Sequence, residues 1–208
     1  MLLLASATLL AGYKARPWNP RPAESYPARL TSEGVTIAAD PLFRDDLAGL
    51  FFDKDDLVTR GIIPLAVAVF NDNDFPVNID ADTVELISEG TRIRTMLPGE
   101  AVARAFQKTG KGVSIPLPIP KLPSSGSSNQ EAFQDFEHKF LGGKVVQPHG
   151  AGGGFLYFRA PGGDIDGFFR AAQLYIPDVS RRDDGSRLIF FEIDLKPAVV
   201  AAPPSRRK

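Results

Sequence analysis

The chain has no cysteine. That removes disulfides, cysteine nucleophiles, thiolate metal sites and iron–sulfur ligation. Histidine is scarce as well, with two among 208 residues. His138 and His149 do not make a His-x-x-x-His pair or any similar ligand spacing, so both read as surface residues rather than metal ligands. Charge of one sign is not in excess. The net charge is −1, and nothing global points to nucleic acid or an anionic membrane. No apolar run reaches the roughly 20 residues that a spanning helix needs.

Catalytic motifs are missing too. No Gly-x-Ser-x-Gly elbow occurs, and the serines at 124–128 fall in an irregular stretch where no rigid base would stand beside a nucleophile. Gly150-Ala151-Gly152-Gly153-Gly154 is followed by a strand pattern, not by the helix N-terminus that holds phosphate, so it reads as a flexible loop. Gly110-Lys111-Gly112 lacks the Ser or Thr that follows a P-loop lysine. No cofactor is implied, and the chain does not read as an enzyme.

What is present is strand grammar. Ile62-Ile63-Pro64-Leu65-Ala66-Val67-Ala68-Val69-Phe70 is a long, largely β-branched and apolar run, closed by Asn71-Asp72-Asn73-Asp74 and a proline at 76. Such punctuation marks a buried strand, a turn and a returning strand. The pattern continues at Val35–Ala39, Val77–Ile79, Val84–Ser88, Arg92–Met96, Val145–Val146, Gly154–Arg159, Gln173–Ile176 and Arg187–Leu195. Glu89-Gly90 supplies a two-residue hairpin turn, and Asp183-Asp184-Gly185 the turn before the last strand. Fifteen Phe against one Trp and four Tyr place phenylalanine at the centre of the core. Phe70, Val77, Leu86, Phe155, Tyr157, Phe158, Leu174, Phe190 and Ile193 are the expected inward residues. Asp72, Asp74, Asp80 and Asp82 bring hard oxygens to the turns, but without a calcium-loop spacing, and turn chemistry explains them better.

Leu2 to Gly12 is uncharged and apolar, too short to span and suited to a signal-peptide core. Leu10-Ala11-Gly12 resembles the end of a bacterial lipobox, with Tyr13 where the lipidated cysteine would stand. Tyrosine has no thiol, so no thioether to lipid forms there. Lys14, Arg16 and Arg21 follow the run instead of preceding it. Residues 13–34 carry Pro17, Pro20, Pro22 and Pro27 and read as an extended tether. Residues 197–208 read as a disordered tail.

Between the strands lies a long insert, 99–142. Pro98-Gly99-Glu100 starts a short helix. Residues 108–128 are irregular and rich in proline, glycine and serine. A second helix follows, with Ser128 and Glu131 as a capping box, Phe133, Phe136, Phe140 and Leu141 on one face, and Gly142 as its C-terminal stop. In the Pro-rich arm, Val113, Ile115, Leu117, Ile119 and Leu122 alternate with serine, proline and lysine. Exposed, that ridge is a partner-binding surface; packed down, it is a structural strap.

From Val67 to Gly90 the apolar strand, Asn-x-Asn-x-x-Pro-Val and Leu-x-x-x-Gly resemble the water-stress-type (late embryogenesis abundant) Ig-like domain. The stretch is similar also to uncharacterised exported bacterial proteins with such sandwiches. The resemblance implies a non-enzymatic, secreted or membrane-tethered module and carries no catalytic residue over. The expected fold is therefore mainly β: an Ig-like antiparallel β-sandwich over 35–196, with two short helices in the insert. The expected role is an exported, non-catalytic module of the periplasm or cell envelope that binds a protein partner or assists envelope assembly. The N-terminal segment is its candidate membrane tether. The alternative is an envelope enzyme acting on a glycan with surface carboxylates.

Overall fold

The structure is a computed structural model, and it describes residues 12–107 and 127–205. The fold is mainly β and antiparallel, with few helices. Its elements run β1 (Arg29–Ser32), β2 (Val35–Pro41), α1 (Asp45–Ala48), β3 (Ile62–Asn71), β4 (Val77–Ile79), β5 (Glu85–Ser88), β6 (Thr91–Met96), α2 (Pro98–Ala105), α3 (Ser127–Lys139), β7 (Val145–Val146), β8 (Gly150–Arg159), α4 (Ile165–Ala171), β9 (Gln173–Ile176), β10 (Val179–Arg181), β11 (Phe191–Asp194) and α5 (Lys196–Ala201).

Eight strands form one sheet in the order β1-β2-β3-β8-β6-β5-β9-β11, and its two outer strands come beside each other. The sheet is thus curled nearly into a closed barrel, which protects edges that would otherwise stay unpaired. A smaller sheet, β10-β4-β7, flanks it. The spine is β3 against β8, paired without a break from Ile62↔Arg159 to Asn71↔Gly150. The expected run Ile62–Phe70 forms this strand because its β-branched residues suit a pleated surface that is buried on both sides. Glu89 (φ 46°) and Gly90 (φ 82°) make the expected tight hairpin between β5 and β6, both in the left-handed region that such turns require.

The Asn71–Asp74 turn is built by Asn71. Its side-chain NH2 donates to the carbonyls of Phe75 (2.7 Å), Gln147 (3.2 Å) and Val146 (3.3 Å), and its Oδ1 accepts from the Asn73 amide (3.1 Å). A buried amide satisfied in this way pins the β3–β4 corner to the loop before β8.

Several expectations are corrected. Residues 13–34 are not a free tether. Ala23–Ser25 form a 3-10 turn, Tyr26 is buried, and Arg29–Ser32 pair with β2 through a hairpin at Glu33 (φ 45°) and Gly34 (φ 71°). The prolines keep the chain extended, but aromatic anchors fasten it to the body. The stretch expected as a tail from residue 197 begins instead in a helix. Pro197 stands in the first turn of α5, where its missing N–H costs nothing, and Ala198 and Val199 are buried.

Gly150–Gly154, expected as a flexible loop, is the first half of β8. Phe190, expected inside, is 53% exposed because β11 begins one residue later and Phe191 takes the inward position. Phe70 is half-buried, against Tyr26. The other seven expected inward residues, Val77, Leu86, Phe155, Tyr157, Phe158, Leu174 and Ile193, are buried. Helix α4 and strand β10 had no recognised signal, and α3 begins at Ser127, so Ser128 lies within it and not at its cap.

Candidate functional site

Helix α3 lies on the sheet as its phenylalanines predict. Phe136 is fully buried and stacks on Tyr157 at 5.1 Å between ring centres, and Phe52 closes on Phe136 at 4.7 Å. The Tyr157 hydroxyl donates to the Phe136 carbonyl (2.9 Å), and the Leu141 amide donates to the Phe155 carbonyl (3.0 Å). This close approach of helix end to strand depends on glycine. A Cβ on Gly154 would overlap the Lys139 carbonyl oxygen and stand 3.0 Å from the Leu141 Cα. On Gly153 it would overlap the Val67 carbonyl oxygen and stand 3.1 Å from the Trp18 ring. The glycine run is therefore a landing surface for α3 and for the N-terminal arm.

The arm reaches α3 through Tyr13. Its hydroxyl donates to Asp135 Oδ2 (2.7 Å), and the same oxygen accepts from Lys139 Nζ (2.6 Å), one helical turn on. Lys139 Nζ also donates to the Phe51 carbonyl (2.7 Å) and sits 4.7 Å from the centre of the Phe52 ring. The side chains of Lys139 and Asp135 are only 6% and 4% exposed. Burial holds the Lys139 ammonium below its usual range, opposed by the Asp135 charge. Burial pushes Tyr13 far above the usual phenol range, reinforced by the hydrogen bond to Asp135. Tyr157 is raised in the same sense by burial and by the negative charge of Asp135. Further along the arm, Arg16 donates to the Gly49 carbonyl and pairs with Asp53 (3.3 Å). Trp18 meets Phe155 edge-on at 5.4 Å.

Between the arm, the C-terminal half of α3 and the glycines of β8 lies an open cleft of about 550 Å3, lined by Arg16, Trp18, His138, Lys139, Lys144, Gly152 and Gly153 among others. Lys144 Nζ donates to the Gly153 carbonyl (2.9 Å) and approaches the Lys139 carbonyl (3.5 Å). Burial alone lowers its ammonium. The Asp135 carboxylate is taken up by Tyr13 and Lys139, so it is a fixed counter-charge and not a free base. The cleft thus offers cations, an indole and backbone to a ligand, which suits binding of an anionic group.

A second cleft, of about 520 Å3, is lined by Asp80, Asp82, Asp178, Arg187 and backbone around Gly142 and Gly143. Asp178 pairs with Arg187 (2.9 Å), and Asp80 caps the short turn at Ala81–Thr83 by accepting from the Asp82 amide (3.2 Å). Asp74 lies elsewhere, 2.9 Å from His149. Among the described residues no group of three or more His, Asp or Glu is placed to hold a metal ion. The proposed partner-binding residues Val113, Ile115, Leu117, Ile119 and Leu122 lie outside the described residues. His138 is exposed on α3 beside the first cleft.

Tyr13, Trp18, Asp135, Lys139 and Lys144 were not visible as a site in the sequence. The one available signal was the Asp135/Lys139 spacing of four on a helix, which usually marks a solvated surface pair. No family model matches the chain, and no curated protein or solved structure is significantly similar to it.

Proposed function

We propose that the chain is an exported, non-catalytic module of the cell envelope that binds a protein partner or assists envelope assembly. The observation that carries this reading is the junction between the apolar segment and the folded body. Leu2–Gly12 has the length and composition of a signal-peptide core. Right behind it, a Cβ on Gly12 would stand 3.0 Å from Glu131 on α3, and Tyr13 is fastened to Asp135. An apolar leader joined to the body at this point holds the α3 face towards the membrane for as long as the segment stays attached. Among the described residues no helix is long and apolar enough to cross a membrane.

The resemblance of Val67–Gly90 to water-stress-type Ig-like domains supports the non-enzymatic and exported parts of the proposal. It adds less on architecture, because one sheet of eight strands curls almost closed where an Ig-like sandwich would face two sheets. Partner contact is assigned to Val113, Ile115, Leu117, Ile119 and Leu122. Cell fractionation with N-terminal sequencing tests the core of the reading. Recovery outside the cytoplasm is expected, and a wholly cytoplasmic protein with an intact N-terminus overturns it. Replacing residues 110–127 with a short Gly/Ser link should abolish partner capture with little change in thermal unfolding.

The glycan-acting alternative draws on Asp80, Asp82 and Asp178 in one cleft. Two of these are already committed, to a cap and to an ion pair. A triple Asp→Asn variant that keeps the cellular phenotype favours the binding module.

A further inference from the structure

We infer that the cleft between the N-terminal arm, α3 and the glycine half of β8 binds a singly charged phosphodiester, with Lys144 as its anchoring cation. The site deepens the envelope reading and rests on it for its source, since an anionic lipid headgroup is the phosphodiester that an envelope module meets.

The charge balance of the cleft points to the ligand. Arg16 is matched by Asp53, and Lys139 by Asp135. Lys144 is half-buried and has no carboxylate within ion-pair distance among the described residues; its partners are backbone carbonyls alone. A desolvated ammonium held by neutral oxygens keeps one uncompensated positive charge facing the cleft. One negative charge completes it. His138 on the cleft wall adds a ring nitrogen. Gly152 and Gly153 line the floor of the cleft, with the Val146 side chain against Gly152 and the Trp18 ring against Gly153.

Position argues for a lipid source. The arm that roofs the cleft follows the apolar segment directly and carries Tyr13, Lys14, Arg16 and Trp18. Aromatic and basic residues behind an apolar run are the composition of the membrane interface, where phosphodiesters lie.

The test uses the full chain and backbone-amide NMR. The probes are glycerophosphoglycerol, a short-chain phosphatidylglycerol below its micelle concentration, the matching phosphocholine compounds, and acetate. Saturable shifts at Lys144, Gly152 and Gly153 and at the Trp18 indole are expected with the phosphoglycerol probes. Lys144→Met should weaken that binding about tenfold, a loss of about 1.4 kcal/mol. Arg94→Gln, on an exposed residue of β6, should leave it unchanged. Binding of the lipid but not of the free diester assigns the source to membrane; equal binding assigns it to a soluble diester. An equal response to the phosphocholine compounds supports recognition of the diester itself, and a weaker one supports recognition of its uncompensated charge; no shift with either phosphoglycerol probe, an equal response to acetate, or unchanged affinity in a folded Lys144→Met variant overturns the inference. If Lys144→Met does not fold, the titrations of the unaltered chain decide alone. Export fails or holds separately, by fractionation, so the two ideas stand apart.

Discussion

Asp135→Leu is the perturbation that tests the arm-to-helix junction most sharply. The change removes the only carboxylate that Lys139 touches among the described residues and leaves the ammonium with the Phe51 carbonyl and the Phe52 ring. Breaking a buried pair from one side costs about 3–5 kcal/mol. The lysine has an escape, which is to give up its proton. From a solution value of about 10.4, neutralising it at pH 7 costs about 4.6 kcal/mol, so the loss cannot greatly exceed that figure. Tyr13 also loses its acceptor, but it is half-buried and can turn to water, for a further loss of about 1 kcal/mol at most. Urea unfolding should show the full loss, and thermal unfolding a drop of about 2–4 °C per kcal/mol.

The pH dependence has a definite sign. In the variant, the folded lysine lies further below its unfolded value, so the unfolded chain binds more protons between the two. Stability therefore rises with pH across that window, and the deficit against the parent chain shrinks from pH 7 towards about 10. Adding Lys139→Met should recover most of the loss, because apolar replacement of a whole buried pair is often neutral or stabilising. Trp18 is the sole tryptophan, so its fluorescence reports whether the arm stays docked. A loss below about 1 kcal/mol for the single change, or one that does not vary with pH, would refute a buried, charged Asp135–Lys139 pair.

Gly154→Ala puts a methyl against the Lys139 carbonyl, which is rigid helix-end backbone, and should cost about 1–3 kcal/mol by denaturant unfolding; a neutral result would show that α3 does not rest on β8 there. Phe136→Ala should cost about 3–5 kcal/mol, whereas Phe190→Ser should stay within about 0.5 kcal/mol, and the reverse ranking in thermal melts would contradict the inward register of β11. Tyr13 and Tyr157 are raised above the ordinary phenol range, so their contribution is fully present below about pH 10 and is lost as pH climbs through their folded values. Ultraviolet difference titration should show a late-ionising component that Tyr13→Phe reduces; ionisation of every tyrosine in one step near pH 10 would count against it.

The sequence by itself determined part of the strand content. Ile62–Phe70, Val77–Ile79, Val145–Val146 and Gln173–Ile176 follow from runs of β-branched, aromatic and other apolar residues ended by Asn, Asp, Gly and Pro, because those preferences act within a few residues. It also placed α3 and its buried phenylalanine, since a helical stripe can be read from spacing alone. The tertiary structure decided the rest. Nothing local shows that β3 pairs with β8 some ninety residues on, or that β1 comes round to β11 and the sheet nearly closes. A glycine run reads as a loop until a helix end and an arm need the space that its missing side chains leave. A Pro-rich arm reads as a tether until Tyr13, Trp18 and Tyr26 find partners far along the chain. The cleft is assembled from three such segments. Its chemistry depends on which charges are buried and which are matched, and those are properties of distance in space, not of order in sequence.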